Sequence, residues 1–257
     1  MTVILAIKAR DGVVLAGDQR VTYYIGNDPK FTSKSEKIIQ IGKNTIMGFS
    51  GVADNVGELA SLLKENSEAL DNDMLSALNS LKSKIRKIDL EGDCLLVGKV
   101  KGDLAFVKLS VSKENKLLEI ALQISEVEII GDIIPTFSSL NLIIHPYIDY
   151  VKIKGESLTV DEAESLAYIA ISDISRSGAL SIGDGVSIFS VVKNGENINI
   201  EEIHKWKLED LLPTAYAQFN KERLGALIRA IKNINGLEGL VRKKDEEEEK
   251  DKAKLSD

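Results

Sequence analysis

The order of hydrophobic patterns along the chain predicts an α+β protein. Its expected form is a four-layer αββα sandwich, two helical layers enclosing two stacked sheets, with a helical extension at the C-terminus. Three observations carry that reading. Strand-like apolar runs come first, two stretches of helical period follow, strands return, and a capped amphipathic helix precedes the last two strands. The 257 residues, 44% of them apolar, suffice for one large domain or one domain plus an appendage. Aromatic residues make up only 5%, so the core must be built mainly from Leu, Ile, Val and Ala.

The elements follow in order. Residues 2–8 and 13–18 run apolar around the turn Ala9-Arg10-Asp11-Gly12, a hairpin pattern with Gly12 supplying a special backbone angle. A polar loop is expected from about Tyr23 to Glu36. "KIIQIGKNTIMGFSG" then gives two short strands around Gly42-Lys43-Asn44, so that four strands precede the first helix. "VADNVGELASLLKENSEAL" and "DMLSALNSLKSKIRKI" have apolar residues at helical spacing, parted by the acidic break Asp71-Asn72-Asp73. "CLLVGKV", "LAFVKLSV" and "LLEIALQI" read as three strands of a second antiparallel sheet.

Residues 137–150 fit either element type. "TVDEAESLAYIAISDIS" is an amphipathic helix opened by Thr159 as N-cap, with Glu162 three positions on forming a capping box. "GVSIFSVVKNG" and "NINIEEI" close the pattern with two strands. The sandwich is expected to span residues 1–204, the helical extension 205–242 with Pro213 as a break, and a charged, disordered tail 243–257.

Composition removes several functions. The net charge of −7 argues against sequence-independent binding to nucleic acid or to an anionic membrane surface, so protein or peptide partners are expected. The chain has no signal-peptide pattern and no run long enough to cross a bilayer, which points to the cytoplasm. The single cysteine, Cys94, excludes an internal disulfide and reads as a small core residue. His145 and His204 sit in unrelated contexts without metal-ligand spacing, so no metal, no cofactor and no Ser-His-Asp triad are expected.

Thr2 poses the functional question. It is either the first polar residue of an edge strand or, after removal of Met1, a catalytic N-terminus. The opening "TVILAIKARDGVVLAGDQRVT" resembles the N-terminal segment of proteasome β subunits and of the bacterial HslV protease. There a nucleophilic threonine leads into an apolar strand, a DG-like turn and an A-x-D-x-R-x-T stretch. "KIIQI", "MGFSGVADN", "LTVDEAESLAYIAIS" and "GVSIFSVVKNG" agree in order, extending the resemblance over residues 2–195. That superfamily, the N-terminal-nucleophile (Ntn) hydrolases, has the same αββα architecture.

The resemblance implies a site. Thr2 matches the nucleophile, Asp18 and Arg20 the charged pair after the second strand, Lys37 the lysine beside the nucleophile, and Gly51 the oxyanion-hole glycine. Thr22 matches a threonine whose main chain pairs with extended substrate, while Phe49, Ser50 and Ala53 fall near the first specificity pocket. The chemistry is coherent. A threonine hydroxyl needs a base, and a free α-amino group with a reference pKa of roughly 7.7–8.0 is partly neutral near pH 7. Methionine aminopeptidase accepts a small second residue, so removal of Met1 alone would free that amine.

The second half of the pattern departs from the family. Asp132 stands where active β subunits have serine, in "IIGDIIPTFSS". In "SRSGALSIGDG", Ser177 falls on the family's aspartate and Leu180 on its serine, with Ser181 or Asp184 reachable only by a local shift. The leading expectation is an N-terminal threonine amidohydrolase or peptidase that acts on peptide or protein substrates through an acyl-enzyme, as a possible homo-oligomer. The alternatives are a transamidase like the connectases, archaeal proteasome relatives that ligate proteins, and a non-catalytic structural subunit.

Overall fold

Strand β1 (Val3–Lys8) turns back into β2 (Gly12–Asp18), and the Ala9 N–H closes the turn on the Gly12 carbonyl at 2.9 Å. Glycine is needed here for space and not for a left-handed backbone. A Cβ at residue 12 would lie 2.7 Å from the Val191 carbonyl oxygen and 2.8 Å from Val160 Cγ2. The computed structural model describes residues 2–25, 28–32, 36–51, 53–88, 90–111, 118–131, 144–153, 155–176 and 185–203. These fall in one unit, Met1–Leu208; the expected extension at 205–242 and tail at 243–257 lie outside the described residues.

The remaining strands are β3 (Val21–Ile25), β4 (Asp28–Thr32), β5 (Ile38–Gln40), β6 (Ile46–Gly51), β7 (Gly92–Val100), β8 (Asp103–Val111), β9 (Leu118–Gln123), β10 (Val127–Gly131), β11 (Val186–Asn194) and β12 (Asn197–Glu202). The first sheet has the order β10-β1-β2-β11-β12 and the second β5-β6-β7-β8-β9, while β3 and β4 form a separate ribbon. Among the described residues every pairing is antiparallel.

The helices among the described residues are α1 (Ala53–Glu65), α2 (Ser67–Asn72), α3 (Met74–Ile85), α4 (His145–Ile153) and α5 (Val160–Arg176).

Alternation along the strands sorts their side chains into separate cores. Ile4, Ala6, Val13 and Leu15 of the first sheet meet Ile46, Leu95, Val97 and Phe106 of the second, filling the space between the sheets. On the other face of the second sheet, Met47, Phe49, Cys94, Leu96 and Val107 pack with Leu59, Leu63, Met74, Leu78 and Ile85 of α1 and α3. On the outer face of the first sheet, Val3 packs with Ile174 of α5. The layers are therefore helix, sheet, sheet, helix, as expected. Cys94 is 1% exposed within this core, and burial pushes its thiol pKa up to about 12.

The capping box forms as expected. The Thr159 hydroxyl accepts from the Glu162 N–H at 3.3 Å, and the Glu162 carboxylate takes the Thr159 N–H at 2.9 Å. Tyr147 on α4 donates to the same carboxylate at 3.0 Å, tying the two helices together.

Several expectations need correction. The segment expected to be a polar loop from Tyr23 to Glu36 holds the β3–β4 ribbon, so six strands precede α1. Pro29 and the Gly26-Asn27 break hide that ribbon, because proline cannot donate to a ladder and reads as a strand breaker. The first strands do not form a sheet of their own: β1–β2 join β10 and β11, and β5–β6 join β7. Strand β10 was not anticipated, and three helices, not two, lie between β6 and β7.

Asp71, at the end of α2, holds the β5–β6 turn against the helical layer. Its carboxylate accepts from the N–H groups of Lys43 and Asn44 at 2.7 and 2.8 Å and from the Thr45 hydroxyl at 2.9 Å. A Cβ on Gly42 would come within 2.5 Å of that carboxylate, so the close approach also needs glycine. Replacing Asp71 by Ala leaves these donors without a partner and is expected to cost about 1–3 kcal/mol of stability. Urea unfolding of the two proteins measures this, and an unchanged midpoint would contradict the assignment.

Candidate active site

The hairpin turns send four strand ends to the same place. The β1–β2 and β5–β6 turns, at residues 9–11 and 41–45, point away from the start of β1, the end of β2, the start of β5 and the end of β6. Thr2, Asp18, Lys37 and Gly51 occupy those four ends. Residues separated by up to 49 positions in sequence thus gather at one end of the sandwich.

Asp18 is the hub. It is 1% exposed, and its Oδ1 accepts the Val3 N–H at 2.9 Å while its Oδ2 accepts the Lys37 Nζ at 2.8 Å and the Arg20 N–H at 3.2 Å. Lys37 is 3% exposed. Two charges this deeply buried are tolerable only as a hydrogen-bonded pair, and removing one partner of such a pair typically costs about 3–5 kcal/mol. The pair also joins the sheets, since Asp18 ends β2 in the first and Lys37 precedes β5 in the second. The Lys37 carbonyl extends the β5–β6 ladder by accepting the Phe49 N–H at 3.0 Å.

Burial drives the Lys37 pKa below its ordinary value of 10.5. The Asp18 charge and hydrogen bond oppose that shift, and the nearby Arg20 charge adds to it. The arrangement places a buried, ion-paired ammonium one carboxylate away from the peptide unit that follows Thr2.

Thr2 is 8% exposed and lies just ahead of β1. Gly51, at the end of β6, is exposed and has φ +155°; opposite it in the β6–β7 ladder stands Gly92, with φ +141°. The two backbones approach closely. A Cβ on Gly51 would sit 2.0 Å from the Glu91 carbonyl oxygen, and one on Gly92 would sit 2.1 Å from the Ser50 carbonyl oxygen. Gly131 pairs with Val3 at the end of β10 with φ +109°. A Cβ there would fall 1.8 Å from the Thr2 carbonyl oxygen.

The structure accordingly brings together Thr2, Asp18, Arg20, Lys37, Ser50 and Gly51. Phe49 is 9% exposed and packs in the core against the helices, on the opposite face of β6 from Ser50. Thr22 lies in β3, where it pairs through the backbone with Phe31. Ala53 opens α1. Asp132, Ser177, Ser181 and Asp184 lie outside the described residues.

Gly92 and Gly131 were missed as site residues in the sequence. Their only local signal is a glycine at a strand end, which many turns share. Among the described residues, no group of three His, Cys, Asp or Glu side chains is placed to hold a metal ion.

Lys37 gives this site a pH signature. Its native pKa is lowered, so between that value and 10.5 the unfolded chain binds more protons, and this group adds stability as pH rises through the window. Replacing Asp18 by Asn removes the two interactions that hold the ammonium charged, so the Lys37 pKa is expected to fall further. Carbon-13 NMR titration of the lysine side chains reads this directly; an unchanged or higher pKa would refute the pairing.

Residues 2–73 match the family model described as Proteasome subunit. The matched span runs from Thr2 through β6, α1 and α2, and it contains Thr2, Asp18, Lys37 and Gly51. No curated protein matches the chain. The family match, set on a sandwich of two antiparallel sheets between helical layers, supports membership of the proteasome-type superfamily.

Proposed function

We propose that this protein is an N-terminal threonine amidohydrolase or peptidase that acts on peptide or protein segments after removal of Met1. The observation that carries the reading is the buried carboxylate of Asp18, bonded at once to the Val3 N–H and to the Lys37 ammonium. A structural ion pair has no need to lock onto the peptide group following the second residue. A nucleophile at Thr2 does, because its hydroxyl and amine must be held still beside a cation.

In this reading the freed α-amino group of Thr2 takes the proton from the Thr2 hydroxyl, whose oxygen attacks the substrate carbonyl carbon. The Lys37 charge favours the deprotonated hydroxyl and lowers the pKa of the neighbouring amine. The Gly51 N–H receives the developing oxyanion, a donor typically worth about 3–4 kcal/mol. The intermediate collapses with transfer of the proton to the leaving amine, giving an ester on Thr2. Water then releases the acid.

An amine in place of water would give transamidation, so the connectase-like reading differs only in the acceptor. The non-catalytic reading is favoured by one observation, the burial of Thr2, which is 8% exposed with Met1 still attached.

We further read residues 1–204 as the catalytic domain, 205–242 as its helical extension and 243–257 as a charged tail, in a homo-oligomer of the cytoplasm. Among the described residues, no helix is long and apolar enough to cross a membrane.

Intact mass of the purified protein, with and without a peptidyl epoxyketone, tests the reading. Loss of Met1 and one adduct, absent in Thr2→Ala, is the expected result; retained Met1 without adduct selects the non-catalytic reading. Replacing Gly51 by Ala should lower the labelling or turnover rate by about 10²–10³, because its Cβ would collide with the Glu91 carbonyl and displace the oxyanion donor. Labelling at the wild-type rate would remove Gly51 from the mechanism.

A further inference from the structure

We propose that Ser50 is a positioning residue of this site, its hydroxyl turning to hydrogen-bond Thr2 once Met1 is removed and fixing the orientation of the Thr2 hydroxyl and α-amino group. The proposal rests on the reading of Thr2 as nucleophile and assigns Ser50 a role distinct from lining a substrate pocket.

The argument starts from strand alternation. Along β6, Met47 and Phe49 face the helices, while Ile46 packs between the sheets. Gly48 shares the face of Ile46, and a Cβ there would lie 2.7 Å from Ile4 Cγ2. Along β1, Ile4 and Ala6 face the second sheet, and Val3 faces α5. Residues 48 and 4 are thus opposed across the sandwich. One step of two residues toward the Thr2 end brings Ser50 over Thr2, with both side chains on the faces that look at each other.

Gly131 supplies an independent measure of that juxtaposition. The point its missing Cβ would occupy is 1.8 Å from the Thr2 carbonyl oxygen and 3.0 Å from Ser50 Oγ. Thr2 and the Ser50 hydroxyl therefore flank the same small volume, kept open by a glycine with φ +109°. The Ser50 backbone is held on its other side by the close approach of Gly92 to its carbonyl. A half-buried hydroxyl on a braced strand end, facing the residue that must carry both nucleophile and base, is placed to orient them.

The test is the kinetics of Thr2 labelling by a peptidyl epoxyketone in wild type, Ser50→Ala and Ser50→Thr, followed by intact mass over a concentration series. A positioning role predicts that Ser50→Ala lowers the maximal labelling rate about tenfold, the worth of one neutral hydrogen bond, with half-saturation unchanged. Ser50→Thr, which keeps the hydroxyl, should recover the rate.

Three results would overturn the proposal while leaving the nucleophile in place. They are an unchanged rate in Ser50→Ala, a change confined to half-saturation (the mark of a pocket wall), and failure of threonine to rescue. Absence of any adduct on the wild type would overturn the nucleophile reading and this inference together.

Discussion

The end of the sandwich that holds Thr2 depends on one interaction, the buried pair of Asp18 and Lys37. The two residues belong to different sheets, and each would be intolerable at its depth without the other. Hydrophobic packing between the sheets is non-directional and leaves the strand ends free to splay. The ion pair, with the Val3 N–H on the same carboxylate, closes that freedom where Thr2 enters the fold.

Around this pair the backbone does much of the work usually left to side chains. Gly51, Gly92 and Gly131 each end or begin a strand, and each has carbonyl oxygen in the space its Cβ would take. Strand ends with side chains would be held farther apart. Three glycines let the ends of β1, β6, β7 and β10 approach one another closely around Thr2 and Ser50. The Asp71 latch acts at the far end of the β5–β6 hairpin, so both ends of the hairpin that carries Lys37 and Gly51 are anchored by a carboxylate.

Much of the fold is legible in the chain because its determinants are local. The hairpin turn at residues 9–12, the β5–β6 pair, the Thr159–Glu162 capping box and the alternation of β7, β8 and β11 each rest on residues within one turn or strand of one another. The β3–β4 ribbon was hidden by Pro29, and β10 by the weak alternation of Val127–Gly131. Of the candidate site, the residues within the first 51 positions carry a pattern. Gly92 and Gly131 carry none, since a glycine at a strand end is demanded here by a neighbour brought from another part of the chain.

By itself the sequence determined the class of most elements, though not of the β3–β4 ribbon or β10, together with the apolar composition of the core and the motif that sets Thr2, Asp18, Lys37 and Gly51 in order. Those follow from periodicity, turn chemistry and residue type, which act over a few positions. Only the tertiary structure decided which strands share a sheet, that Asp18 and Lys37 neutralise each other across the sandwich, and that Ser50 faces Thr2 over Gly131. These are long-range facts, because sheet order and the burial of a charge are settled by what packs opposite, and no local pattern specifies the partner.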